Sequence, residues 1–168
     1  MSSNNKNKFV IATHSKSLFN VSHAPGWTPE ENKVLKAALL KYGVGQWSKI
    51  IHAGILPGKT ITQLNLQTQR MMGQQSIAGF TYLHIDVEEV RRDNEDLVAN
   101  GDNVDKGKEI IVKQGLIINA GENPTRESKL KLIEKNRTKY GKSEKEINSK
   151  VPSEIELFAV KRAKRLQF

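Results

Sequence analysis

Between Trp27 and Gly73 the chain carries three helix starts and three helix stops in fewer than fifty residues. So dense a set of signals leaves room only for short helices joined by tight turns. Thr28-Pro29-Glu30-Glu31 opens the first helix. Thr28 supplies a capping hydroxyl, Pro29 suits the first helical position, and Glu31 completes a capping box. Leu35 and Leu39 follow at i,i+4, with Val34 and Ala38 beside them. Gly43 ends the run. After the Gly45-Gln46 turn, Trp47-Ser48-Lys49-Ile50-Ile51 begins a second, short helix that stops at Gly54. Leu56-Pro57-Gly58-Lys59 is a tight connector. Thr60 caps a third helix, Gln63 makes a second capping box, and Gly73 stops it. The expected result is a compact trihelical bundle whose second and third helices meet at a short turn, as in a helix-turn-helix.

Composition limits what surrounds this bundle. The chain has 168 residues, 37% apolar and 27% charged, an ordinary globular balance. A module of this size buries a modest core, so the remaining residues must fold onto it, bind something else or stay mobile. The absence of cysteine excludes disulfides and thiolate zinc sites. His14, His23, His52 and His84 are far apart, with no i,i+4 pair, so no metal or other cofactor is expected. No 18-residue apolar run exists, so no membrane span is expected. Met1–Lys8 is polar and lacks an apolar stretch of signal-peptide length.

The flanks read less sharply. Residues 1–24 are expected to be a flexible tail with one short apolar run, Phe9-Val10-Ile11-Ala12. Residues 25–73 form the module. Residues 74–92 read as a short helical extension: one turn at Ser76–Phe80, then a helix at Asp86–Arg92 capped by Asp86. Residues 93–108 are acidic and rich in Gly and Asn, which suggests a linker. Residues 109–168 form a basic region. It holds a β-branched hairpin at Ile110–Ile118 broken by Gln114-Gly115, a helix at Thr125–Tyr140 closed by Gly141, and a terminal helix from the capping box Ser153-Glu154-Ile155-Glu156 to about Leu166.

Net charge is +9, unevenly distributed. Residues 1–73 hold nine Lys/Arg and two acids, residues 74–125 five and ten, and residues 126–168 thirteen and six. Two basic blocks therefore flank an acidic middle. Such blocks attract polyanions and speed encounter with DNA or RNA; the alternative is a solvated surface of no specific purpose. Gly43-Val44-Gly45 lacks the third glycine, the preceding strand and the Lys-Ser/Thr ending of a phosphate loop. Glu30-Glu31 and Glu88-Glu89 are adjacent pairs, and adjacent helical residues do not face each other. No catalytic residue is assigned, and the chain is not expected to be an enzyme.

Trp27-Thr28-Pro29-Glu30-Glu31, Leu35, Leu39, Gly43, Gly45, Trp47, and Leu56-Pro57-Gly58-Lys59-Thr60 with Gln63 together resemble the Myb/SANT-like (homeobox-like) family over about Trp27–Met72. The two tryptophans, twenty positions apart, are the specific part. The resemblance implies an all-α fold: a three-helix Myb/SANT-like bundle with helical, partly flexible extensions. Trp27 and Trp47 would be large buried aromatics between the helices. Family members often carry a third aromatic near the end of helix 3. Here Met71 or Met72 must fill that space.

Wound at 100° per residue, Ile61, Leu64, Thr68, Met71 and Met72 fall on the expected core face of helix 3, and Thr62, Gln63, Leu66, Gln69 and Arg70 on the outer face. In DNA-reading members that outer face enters the major groove, usually with Asn or Lys near its centre; here the centre is Leu66. Leucine can touch a thymine methyl but cannot make bidentate bonds to bases. Two readings stay open: phosphate-dominated binding of double-stranded DNA, or a SANT-like protein contact through Leu66. The candidate DNA-binding residues are Lys59, Thr62, Gln63, Asn65, Gln69 and Arg70, with Lys161, Arg162, Lys164 and Arg165 near the end. That last cluster is also of nuclear-localisation type. Ile155 and Phe158, which share a helical face, join Leu66 as candidate partner-binding residues. The overall layout is similar to the small accessory subunits of the ciliate DNA N6-adenine methyltransferase complex. That resemblance implies a nuclear protein that helps a separate catalytic heterodimer engage DNA.

Overall fold

The Thr28 hydroxyl accepts the Glu31 backbone N–H at 3.2 Å, and the Glu31 carboxylate accepts the Thr28 N–H at 3.3 Å. This closes the N-terminus of α1, Pro29–Tyr42. Thr60 and Gln63 make the same reciprocal pair at the start of α3, Ile61–Met72. Between them lies the short α2, Trp47–His52. The computed structural model describes residues 26–100, 104–105, 108–118 and 124–151. The expected N-terminal tail, part of the acidic segment and the expected terminal helix with its basic cluster lie outside them.

Gly43 ends α1 at φ 95°, and a side chain there would meet the Tyr82 carbonyl oxygen at 3.1 Å. That close approach seats the chain beyond α3 on the back of the module. Val44 N–H donates to the Leu83 carbonyl at 3.0 Å and Tyr82 N–H to the Val44 carbonyl at 2.8 Å. A 3-10 turn at Ala78–Phe80 precedes this strap, and α4, Val87–Ala99, follows it with Asp86 as its cap. The described remainder comprises β1 (Val104–Asp105) paired with β2 (Lys108–Glu109), β3 (Ile111–Lys113) paired with β4 (Leu116–Ile118), α5 (Arg126–Tyr140) and α6 (Glu144–Lys150). Both strand pairs are antiparallel.

The protein is all-α in class, with a trihelical bundle and helical extensions. Buried side chains from both sides of Gly73 share one cluster: Leu35, Leu39, Ile50, Leu64 and Met72 pack with Phe80, Leu83, Ile85, Val87, Val90, Tyr140 and Val151. Burying an aliphatic side chain of this kind contributes about 1.5–3 kcal/mol, so the extensions stabilise the module substantially. Ion pairs reinforce the joint. Lys36 on α1 lies 2.7 Å from Glu88, and α4 reaches α5 and the following turn through Asp93–Lys139 at 3.1 Å and Glu89–Lys142 at 2.7 Å. Tyr140 donates its hydroxyl to Asp93 and packs its ring on Phe80, 6.0 Å between centroids.

Three sequence expectations need correction. Trp27 and Trp47 are half-buried at the edge of the core rather than wedged at its centre, which aliphatic side chains fill. Ile61, the first residue of α3, is 49% exposed rather than in the core. Gln67, assigned to neither face from the sequence, is buried and donates to the Asn32 side chain at 2.7 Å. The segment from Asp93 onward does not begin a linker; α4 continues to Ala99. Its polar residues are held by tertiary partners, so weak helix propensity is overridden. Helix α6 is an addition to the expected elements, with Ser143 and Glu146 forming its capping box.

Candidate nucleic-acid interface

Helix α3 is anchored on three sides. Leu64, Thr68, Met71 and Met72 face the core, and both methionines are buried near the end of the helix. At its C-terminus, Gly73 adopts a left-handed φ of 76°. The last carbonyls, which lack helical partners, are taken by side chains of α4: Arg91 donates to the Arg70 carbonyl at 2.9 Å, and Asn94 to the Met72 carbonyl at 2.8 Å. Just past the helix, Ile117 of β4 donates to the Gly73 carbonyl at 3.0 Å and accepts from Gln75 N–H at 2.8 Å. These braces fix the tilt of α3. They leave no trace in the amino-acid pattern, because the acceptors are main-chain atoms.

The outer face remains open. Thr62, Gln63, Leu66 and Arg70 are exposed, Leu66 to 52%, while Asn65 and Gln69 are half-buried. The candidate DNA-binding residues are not equally available. Lys59 turns inward: its ammonium lies 3.2 Å from a Glu31 carboxylate oxygen and 4.6 Å from the Trp27 ring centroid, and it donates to the Gly26 carbonyl. Its side chain is only 10% exposed. A buried ion pair of this kind fixes geometry, and removing one partner strands the other charge. Lys59 therefore holds the turn before α3 against the start of α1. Gln63 uses its amide oxygen in the capping box. Asn65 buries its side-chain oxygen. On α3 itself, Arg70 is the outward cation.

Charge is unevenly distributed over the described helices. Lys33 and Lys49, on α1 and α2, are exposed. Helix α4, beside the C-terminal end of α3, carries five acids and two arginines. Several of those acids are held in the pairs already described. A shallow recess of about 450 Å³, lined by Glu89, Arg92, Asp93, Asp96, Lys139 and Tyr140, lies between α4 and α5. Among the described residues no cluster of three or more His, Asp or Glu side chains is arranged for a metal ion. Lys161, Arg162, Lys164, Arg165, Ile155 and Phe158 lie outside the described residues.

Three short helices, the last two joined by a tight turn and the last left open on one face, define a protein of the helix-turn-helix DNA-binding class. Residues 25–72 match the family model of the Myb-like DNA-binding domain. The chain therefore carries a Myb-like DNA-binding domain, a non-catalytic kind of module, which spans less than a third of its length. Neither a curated protein nor a solved structure matches the chain.

Proposed function

We propose that this chain is a non-catalytic, DNA-binding accessory subunit of a nuclear chromatin- or DNA-modifying complex. The observation that carries the reading is the open outer face of α3, uncovered while its other sides are packed and braced. The +9 charge supports a polyanionic partner. With Lys59 engaged internally and Arg70 the outward cation on α3, contacts to phosphates would come largely from other cations, such as Lys33 and Lys49. Nuclear residence is part of the proposal and is supported by the basic cluster Lys161-Arg162-Ala163-Lys164-Arg165. The layout resembles accessory subunits of a DNA N6-adenine methyltransferase complex, which makes that complex our candidate assembly. The 168 residues contain no Asp-Pro-Pro-aromatic tetrapeptide of adenine-type amino methyltransferases, so methyl transfer would belong to another chain.

Affinity of the full chain for a short duplex, measured across a salt series, tests this. Log affinity should fall linearly with log salt, by about 0.9 per phosphate contacted, and Arg70→Ala should reduce the slope by about one phosphate's share. A second reading, a SANT-type protein adaptor, is favoured by the exposure of Leu66 at the centre of the face. Undetectable DNA binding, with Leu66→Lys disrupting assembly into a larger complex, would establish that reading instead.

A further inference from the structure

We infer that α3 reads thymine methyl groups, with Leu66 and Thr62 as the specificity-determining residues. The inference rests on the DNA-binding reading and names the chemical feature of DNA that the face recognises.

The argument is one of elimination on the helix surface. Several polar side chains of the helix and its entry turn are engaged. Gln63 is held in the capping box of α3, and Gln67 is buried against Asn32. Thr68 is buried and donates to the Leu64 carbonyl at 2.7 Å, and Lys59 is paired with Glu31. Gln and Asn recognise adenine, and Lys or Arg guanine, through free amide or cationic groups. Of the outward residues, Arg70 and the half-buried Gln69 and Asn65 keep such groups, and the Asn65 side-chain oxygen is buried. They flank the crown of the helix rather than occupy it.

The crown itself is Thr62 and Leu66, one turn apart and about 40° apart around the axis. Both are exposed, and neither side chain has a structural task in the core. Thr62 offers a γ-methyl and Leu66 two δ-methyls. The major groove displays one apolar feature on an unmodified base pair, the C5-methyl of thymine. Their separation along the axis is about 6 Å, close to two base-pair steps of about 3.4 Å each. The pair could therefore meet methyls within a three-base-pair window. The N-terminal turns are also the electrostatically favoured end for a phosphate backbone. The helix dipole is positive there, whereas the acidic α4 stands at the other end. An apolar crown on a +9 chain, in a DNA-binding fold, suits a duplex better than a neutral protein surface.

The test uses the full chain and two duplexes of one A·T-rich sequence, the second with deoxyuridine in place of every thymidine. Uracil pairs as thymine does and lacks only the methyl. Affinity should fall about three- to fourfold for each thymine methyl that the helix touches and the second duplex lacks. In Leu66→Ala the difference between the duplexes should shrink by that factor. Thr62→Ser, which keeps the hydroxyl and removes the methyl, should shrink it independently. Both residues are exposed, so folding should be kept, and circular dichroism checks that. Equal affinity for the two duplexes with normal salt dependence would overturn this inference and leave DNA binding standing. A difference that persists undiminished in both variants would overturn the residue assignment. Binding to neither duplex at low salt would sink the inference together with the DNA reading.

Discussion

Tyr140 donates its hydroxyl to Asp93, sets its ring near Phe80 and is buried in the shared core. The hydrogen bond from Tyr140, and after it Lys139, holds the Asp93 carboxyl below the ordinary carboxylate range. Burial, followed by the Asp93 bond, pushes the Tyr140 hydroxyl up. A carboxylate whose folded value is lowered adds stability that is fully present above its unfolded value. That stability is lost as pH falls through the folded one. Tyr140→Phe keeps the ring packing and removes the bond. It should cost about 1 kcal/mol at neutral pH in urea titrations. Its stability should also decline less steeply than wild type below about pH 4. A wild-type acid limb in the variant would refute the coupling. The residue scale also shows the limits of legibility. Thr28, Glu31, Thr60 and Gln63 announce their roles through spacing, and the structure repeats both capping boxes. The ion pair of Glu31 with Lys59 does not announce itself, because its partners are 28 positions apart and any acid could have met that lysine.

The hairpin β3–β4 illustrates local chemistry at the element scale. Gln114 and Gly115 both have positive φ, 50° and 76°, which is the signature of a type I′ turn. Glycine adopts this freely; glutamine does so against its steric preference. Asn-Gly is the favoured pair for such a turn. Gln114→Asn should therefore stabilise the protein by about 0.5 kcal/mol, and Gln114→Val should destabilise it by about 1–2 kcal/mol. Equal midpoints for the two variants in urea would count against the turn assignment. Helix α4 makes the opposite point. Asp93, Asn94, Glu95 and Asp96 read as a break from helix, yet the helix runs to Ala99. Asn94 donates to Met72 and Gln74, and Asp93 is held by Tyr140 and Lys139. Partners distant in sequence supply what local propensity withholds.

At the scale of the whole molecule, the shared core makes the extensions part of the module's stability. Residues beyond Gly73 supply Phe80, Leu83, Ile85, Val87, Val90, Tyr140 and Val151 to one cluster with the three helices. Tryptophan fluorescence reports on residues 27 and 47, and far-ultraviolet circular dichroism on all helices. The two should trace coincident transitions in the full chain. A fragment ending at Gly73 should melt at least about 10 °C lower, since several kcal/mol of burial is removed. A fragment as stable as the full chain would show that the joint contributes nothing.

The class of fold and the boundaries of the three-helix module were legible in the chain, because caps, glycine stops and apolar spacing act over three or four residues and need no distant partner. The depth of each side chain was not. Periodicity assigns a face, while burial depends on what else packs there. For that reason Ile61 stayed at the surface, Gln67 went inside, and both tryptophans came to rest at the rim. The same holds for the interface: the outer face of α3 could be drawn on a helical wheel, but only tertiary contacts decided that Lys59 is engaged elsewhere and that Asn65 and Gln69 are half-buried beside the exposed Leu66 and Thr62.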